Sequence, residues 1–146
     1  MNRIVTHKIN PDHYHADVVV VWCFDDRFSD LIDRLAEQNN WRYVDLIKVA
    51  GGAKELAADG DTAEKNFLLH QIQKSIKLHS PHTLALMVHT DCGAYGKSLD
   101  DSKSEIDFYA AELVKAEANL KTFLDNIPAT LPIKKYLADF EGILEI

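Results

Sequence analysis

Cysteine occurs only twice in the 146 residues, at Cys23 and Cys92, and no C-x-x-C pair is present. That scarcity excludes a disulfide framework and a thioredoxin-type redox motif. Basic charge is also in short supply: 16 Lys and Arg against 23 Asp and Glu give a formal net charge of -7. Phosphate recognition needs clustered cations, so neither nucleic acid nor an anionic membrane is an expected partner. A small or neutral substrate fits this balance better. No window approaches the roughly 18 consecutive apolar residues of a membrane span. The stretch from Met1 to His7 lacks the apolar core of a secretory signal, and the expected location is the cytoplasm. Repeats, low-complexity tracts and interdomain linkers are missing too, so one domain over residues 1–146 is expected, with 1–16 as an N-terminal arm whose His7, His13 and His15 read as surface histidines.

What the chain does have is alternation of short apolar runs with helical periodicity. Val18 to Trp22 is β-branched throughout and closed by an aromatic, the pattern of a strand buried on both faces. Ser29 is placed to cap a helix to about Asn39, with Leu31, Leu35 and Ala36 on one side. Trp41 to Ile47 reads as a second strand, ended by the turn Ala50-Gly51-Gly52. Asp61 and Glu64 have capping-box spacing before Ala63, Phe67, Leu68, Ile72 and Ile76, which recur at helical intervals up to His79. Leu84 to Val88 is the third strand. A third helix is expected from near Ser104, with Ile106, Ala110, Leu113, Leu120 and Leu124 inward, and Pro128 and Pro132 bracket its exit. Ile133 to Leu137, a turn through Gly142, and Ile143 to Ile146 read as a strand followed by a short edge strand. This succession predicts the α/β class: an open, mostly parallel sheet with helices on both faces, strand order beginning 2-1-3, and a short C-terminal edge strand.

In that order the first and third strands are neighbours, and ligands of such sheets bind at the carboxyl ends where the strand order reverses. Both cysteines fall there. The first strand delivers Cys23 with Asp25 and Arg27, and the third delivers His89 with Cys92. A sulfur, nitrogen, sulfur ligand set leaves one position open on a tetrahedral ion, the arrangement of a catalytic rather than a structural zinc. Gly93 to Ser98 imitates the end of a phosphate-binding loop, but Asp91 stands where that loop needs glycine, and its charge repels phosphate. The three residues between Cys23 and Arg27 are too few for the loop of a cysteine phosphatase.

The segments Cys23-Phe-Asp25-Asp-Arg27 and His89-Thr-Asp-Cys92-Gly93, with Ala50-Gly51-Gly52 between them, resemble the CxDxR and HxxCG hallmarks of the beta-class carbonic anhydrase family. The likeness covers about residues 18 to 97, and the tail from Tyr136 to Leu144 loosely resembles the family's closing hairpin. The resemblance implies Zn²⁺ held by Cys23, His89 and Cys92, a catalytic dyad of Asp25 and Arg27, and a pocket that includes Ala50, Gly51, Gly52 and Gly93. It implies reversible hydration of CO₂ to bicarbonate by zinc-bound hydroxide, in a homodimer or higher homo-oligomer. In part of the family the aspartate swings onto the metal as a fourth ligand, and Asp25 is the corresponding residue. The alternatives are therefore a capped zinc protein without turnover, or a hydrolase of carbonyl sulfide or carbon disulfide. One departure stands out: Lys48-Val49 occupies the place where the family commonly has Arg-Asn before Ala-Gly, losing a planar guanidinium and an amide.

Overall fold

The computed structural model describes residues 1–96, 102–127 and 131–146. Lys97, Ser98 and Pro128, which entered the expectations above, lie outside the described residues.

Four successive valines followed by Trp22 and Cys23 offer no polar side to solvent, and they form β1 (Val18–Cys23), an interior strand with every residue buried. Strand β2 (Val44–Val49) runs parallel along one side, from Val18 opposite Val44 to Cys23 opposite Val49. Strand β3 (Thr83–His89) runs parallel along the other side, with Val18 opposite Thr83. Next come β4 (Ile133–Ala138), parallel to β3, and β5 (Ile143–Glu145), antiparallel to β4. The order is β2-β1-β3-β4-β5, so the expected 2-1-3 start, the mostly parallel sheet and the short C-terminal strand are all present.

Side-chain alternation divides the sheet between two cores. Val19, Val21 and Cys23 of β1, with Leu84, Leu86 and Val88 of β3, pack against α2 (Ala63–His79) and α3 (Ser102–Leu124). Val18, Val20 and Trp22, with Ala85, Met87 and Tyr136, pack against Phe28 and α1 (Leu31–Asn39). Helices thus cover both faces.

Local differences from the expected elements have identifiable causes. Strand β2 starts at Val44 because the Asp17 carboxylate accepts from the Arg42 and Tyr43 N–H groups (2.7 and 2.8 Å), holding that stretch in a connector. Ser29 does not cap α1. Its hydroxyl donates to Asp26 and accepts from Lys48 Nζ (2.9 Å), and Asp30 occupies the N-cap position without a side-chain bond. The cap of α2 is Thr62, whose Oγ1 accepts from the Lys65 N–H, one residue later than the expected Asp61. Phe67 lies half out in solvent, with Leu68, Leu69 and Ile72 inward. Helix α3 starts two residues earlier than expected, and its buried seam is Tyr109, Leu113, Ala116, Leu120 and Leu124, with Ala110 only partly covered. Residues 1–13 are exposed, whereas Tyr14 donates to Asp45 (2.8 Å), stacks on Tyr43, and leads into the fully buried Ala16.

The turn after β2 brings backbone against backbone. Gly52 has φ +58°, and a Cβ there would lie 2.3 Å from the Met87 carbonyl oxygen and 3.1 Å from the Cys23 nitrogen. Only glycine accepts both the left-handed conformation and the contact. The short 3-10 segment that follows (Gly52–Ala57) is thereby seated on the ends of β1 and β3. Gly52→Ala is expected to destabilise the fold by roughly 2 kcal/mol or more. Urea unfolding of the variant beside the parent checks this, and an unchanged midpoint would show that the turn relaxes without penalty.

Candidate metal centre

At the carboxyl ends of β1 and β3, the strands release Cys23 and His89 side by side, and a tight turn returns Cys92 to them. One ligand atom from each of the three lies within 4.8 Å of the others, and all three residues are buried. The two sulfurs are 4.0 Å apart, far beyond a bonded disulfide. A tetrahedral zinc with thiolates at about 2.3 Å would place them about 3.8 Å apart. The spacing fits an ion between them.

His89 is prepared for the same role. Its Nδ1 lies 2.7 Å from the Thr90 carbonyl, an acceptor only, so Nδ1 carries the proton and Nε2 keeps its lone pair. That Nε2 is buried and has no hydrogen-bond partner. Burial lowers the imidazole pKa and so favours the neutral, ligating form. The ring is fixed by Phe28, stacked at 4.4 Å, and by Trp22, edge-on at 5.8 Å. An orphaned base facing two thiols is costly unless a cation occupies the space between them. Burial also pushes the Cys92 thiol up to about 11, so without a cation that thiol stays protonated at neutral pH. Its turn is tied down by its own N–H, which donates to the hydroxyl of the buried Tyr109 (3.2 Å).

Beside this nest stands an ion pair. Asp25 follows β1 by two residues, and its carboxylate accepts from Arg27 Nε (3.1 and 3.2 Å), Nη2 (2.7 Å) and the Arg27 backbone N–H (3.1 Å). These bonds hold the carboxyl pKa at about 2. Oδ2 of Asp25 is 3.9 Å from His89 Nε2. The guanidinium carbon sits 5.6 Å from the Phe28 ring centre and 5.7 Å from that of Phe140 on the β4–β5 hairpin, within cation–π range.

A cavity of about 370 Å³ opens over the nest, lined by Cys23, Phe24, Asp25, Ala50, Gly51, Cys92, Gly93 and Ala94. Gly52 lies beneath this lining, against Met87. Lys48 is directed to Ser29, and Val49 lines a neighbouring apolar groove with Ala50, Phe67 and Leu68. Sequence reasoning did not single out Phe28, Tyr109 or Phe140 for the site. Phe28 adjoins Arg27 in the chain, but nothing in the sequence pointed to Tyr109 or Phe140, which arrive from α3 and the C-terminal hairpin.

Residues 14–124 match the family model described as "Putative carbonic anhydrase". The chain belongs to this carbonic anhydrase family. Among solved structures, it is similar to beta-carbonic anhydrase isoform I of the protozoan Trichomonas vaginalis and to the carbonic anhydrase of Streptococcus mutans. Each shows a TM-score of 0.57 and 16% identity over 97% of this chain and 87% of the other. The carbonic anhydrase of Glaciozyma antarctica follows with a TM-score of 0.55 and 18% identity over 92% of this chain and 84% of its own. At these identities the likeness is one of fold. A search of curated proteins finds no match. Within the carbonic anhydrase fold, the thiols and imidazole described above form the one candidate metal cluster among the described residues.

Because Cys92 must lose its proton to bind a metal, zinc uptake near neutral pH is expected to release at least about one proton per ion. The affinity should weaken as pH falls. Calorimetric titration in buffers of different ionisation enthalpy measures this directly, and pH-independent binding without proton release would show that the thiols are not ligands.

Proposed function

We propose that this chain is a zinc-dependent carbonic anhydrase that interconverts carbon dioxide and bicarbonate. The observation that carries the reading is the buried, unpartnered Nε2 of His89 within 4.8 Å of the sulfurs of Cys23 and Cys92, two residues that line a small pocket. Zinc held by Cys23, His89 and Cys92 would supply Lewis acidity, which can lower the pKa of a coordinated water from about 15.7 to about 7 in a favourable site. Two thiolates offset the charge of the dication, so acidification here is weaker than with three neutral imidazoles. A fixed hydrogen-bond acceptor beside the nucleophile gains value accordingly.

Asp25 provides that acceptor. With its pKa held at about 2, it is ionised throughout the neutral range, so its protonation does not set the pH profile. It takes the proton side of the attacking water and turns the lone pair toward the substrate. Arg27 keeps the carboxylate charged and occupied by two parallel bonds. Phe24, Ala50, Gly51, Gly93 and Ala94 give the pocket small, apolar walls suited to a short, linear, uncharged molecule. A capped zinc site without turnover is the second reading. Its basis is the same carboxylate, since Oδ2 lies only 3.9 Å from the ligating nitrogen.

A homo-oligomer accompanies the proposal. Strand β2 lies at an edge of the sheet with Leu46 exposed, and the arm holds Ile4, Val5 and Ile9 in solvent.

Stopped-flow CO₂ hydration between about pH 6.5 and 9, on protein of known zinc content, tests the reading. Turnover that rises with pH is expected, and none at full zinc occupancy would leave the capped site standing. Asp25→Asn should retain zinc while losing on the order of 10²-fold in turnover, and full activity would remove Asp25 from the mechanism. Cys92→Ser should lower the zinc content itself, as metal analysis of the purified variant will register.

A further inference from the structure

Arg27 is held from two sides. Beyond its bonds to Asp25, Nη1 donates to Asp91 Oδ2 at 2.7 Å and Nη2 donates to the Asp91 backbone carbonyl at 3.1 Å. Asp91 lies in the turn between His89 and Cys92, with a left-handed backbone at φ +52°. The turn is itself anchored on α3: the Asp91 N–H donates to the Glu105 carboxylate, and the Cys92 N–H donates to Tyr109.

A guanidinium tied to one carboxylate can follow it when it moves. A guanidinium tied also to a second carboxylate and a carbonyl on another loop cannot do so without breaking those bonds. The movement that matters is short, since Asp25 Oδ2 already lies 3.9 Å from His89 Nε2. The geometry points to Asp91 as a positioning residue for the Asp25–Arg27 pair: it fixes the guanidinium so that Asp25 is kept off the fourth position of the metal. This rests on the zinc reading above, and it adds a group that touches neither substrate nor ligand atom. The Asp91 side chain is 66% exposed, and exposed ion pairs are individually weak. The control is therefore modest in size and acts through geometry.

The test reads metal binding rather than catalysis. Asp91→Gly removes the carboxylate and accepts the left-handed backbone. Asp91→Asn is matched in shape and also tolerated at positive φ, so it carries the test if the glycine variant does not fold. Zinc affinity is measured by competition with a chromogenic chelator. The cobalt-substituted proteins are then titrated with thiocyanate and followed by visible absorption.

In the parent, the cobalt spectrum should respond to thiocyanate. In Asp91→Gly, zinc affinity should rise about three- to tenfold as Asp25 joins the metal, and the thiocyanate response should shrink. Asp91→Asn should shift both in the same direction by less. Adding Asp25→Ala to Asp91→Gly should abolish the gain in affinity. Unchanged or weakened zinc binding with a parent-like spectrum in the Asp91 variants would overturn the assignment, leaving Asp91 a turn residue. A parent that binds no zinc, or whose spectrum ignores the anion, would overturn the open-site reading beneath it, and the two failures are distinguished by the parent alone.

Discussion

The parallel pairing of β1 with β3 is the constraint from which the rest of the centre follows. The two strands start together, Val18 opposite Thr83, and each ends at a member of the candidate metal cluster. Their carboxyl ends bring Cys23 and His89 to the same end of the sheet. Because neither strand has a polar face, both are buried on two sides and a slip in register would move a whole set of side chains from one core to the other. The metal nest inherits that rigidity: its position is set by backbone pairing and by two cores, and its own side chains need only complete it.

Much of this was legible in the chain because strand ends and glycine turns leave local marks. Val18 to Cys23 announced a doubly buried strand, the helical intervals between Ala63 and His79 announced a crossover, and the CxDxR and HxxCG segments lay where the parallel order makes them meet. Exact caps were less legible, since Ser29 and Asp61 have the right chemistry but spend it on Asp26, Lys48 and Asn66. The inward faces of α2 and α3 were read partly wrongly for a similar reason. Helical periodicity identifies a stripe only to within a residue, and the sheet beneath decides whether Tyr109 or Ala110 turns inward. Contacts such as Phe140 over Arg27 join parts of the chain too far apart for any spacing rule.

Charge around the site is arranged by neighbourhood rather than by excess. The acidic chain places one arginine among Asp25, Asp91, Phe28 and Phe140, so the ion pairs beside the candidate metal cluster lie at the rim, still partly in water. The side chains of the candidate cluster, Cys23, His89 and Cys92, are buried. This division makes chemical sense: a ligand gains from desolvation once a cation is present, whereas a buried ion pair would pay heavily for the same exclusion of water. Lys48, charged and close in sequence, is spent on Ser29 away from the pocket.

The edge-on contact between Trp22 and His89, with ring centres 5.8 Å apart, gives the protein an intrinsic optical gauge. Trp22 is wholly buried beside the imidazole, while the second tryptophan, Trp41, packs near Tyr136 and is partly exposed. A paramagnetic ion bound to His89 would sit beside the Trp22 indole, whereas Trp41 has its aromatic contact with Tyr136 instead. The emission of the unlabelled chain therefore includes a contribution from an indole that touches the imidazole of the candidate metal cluster, alongside that of a second, partly exposed indole.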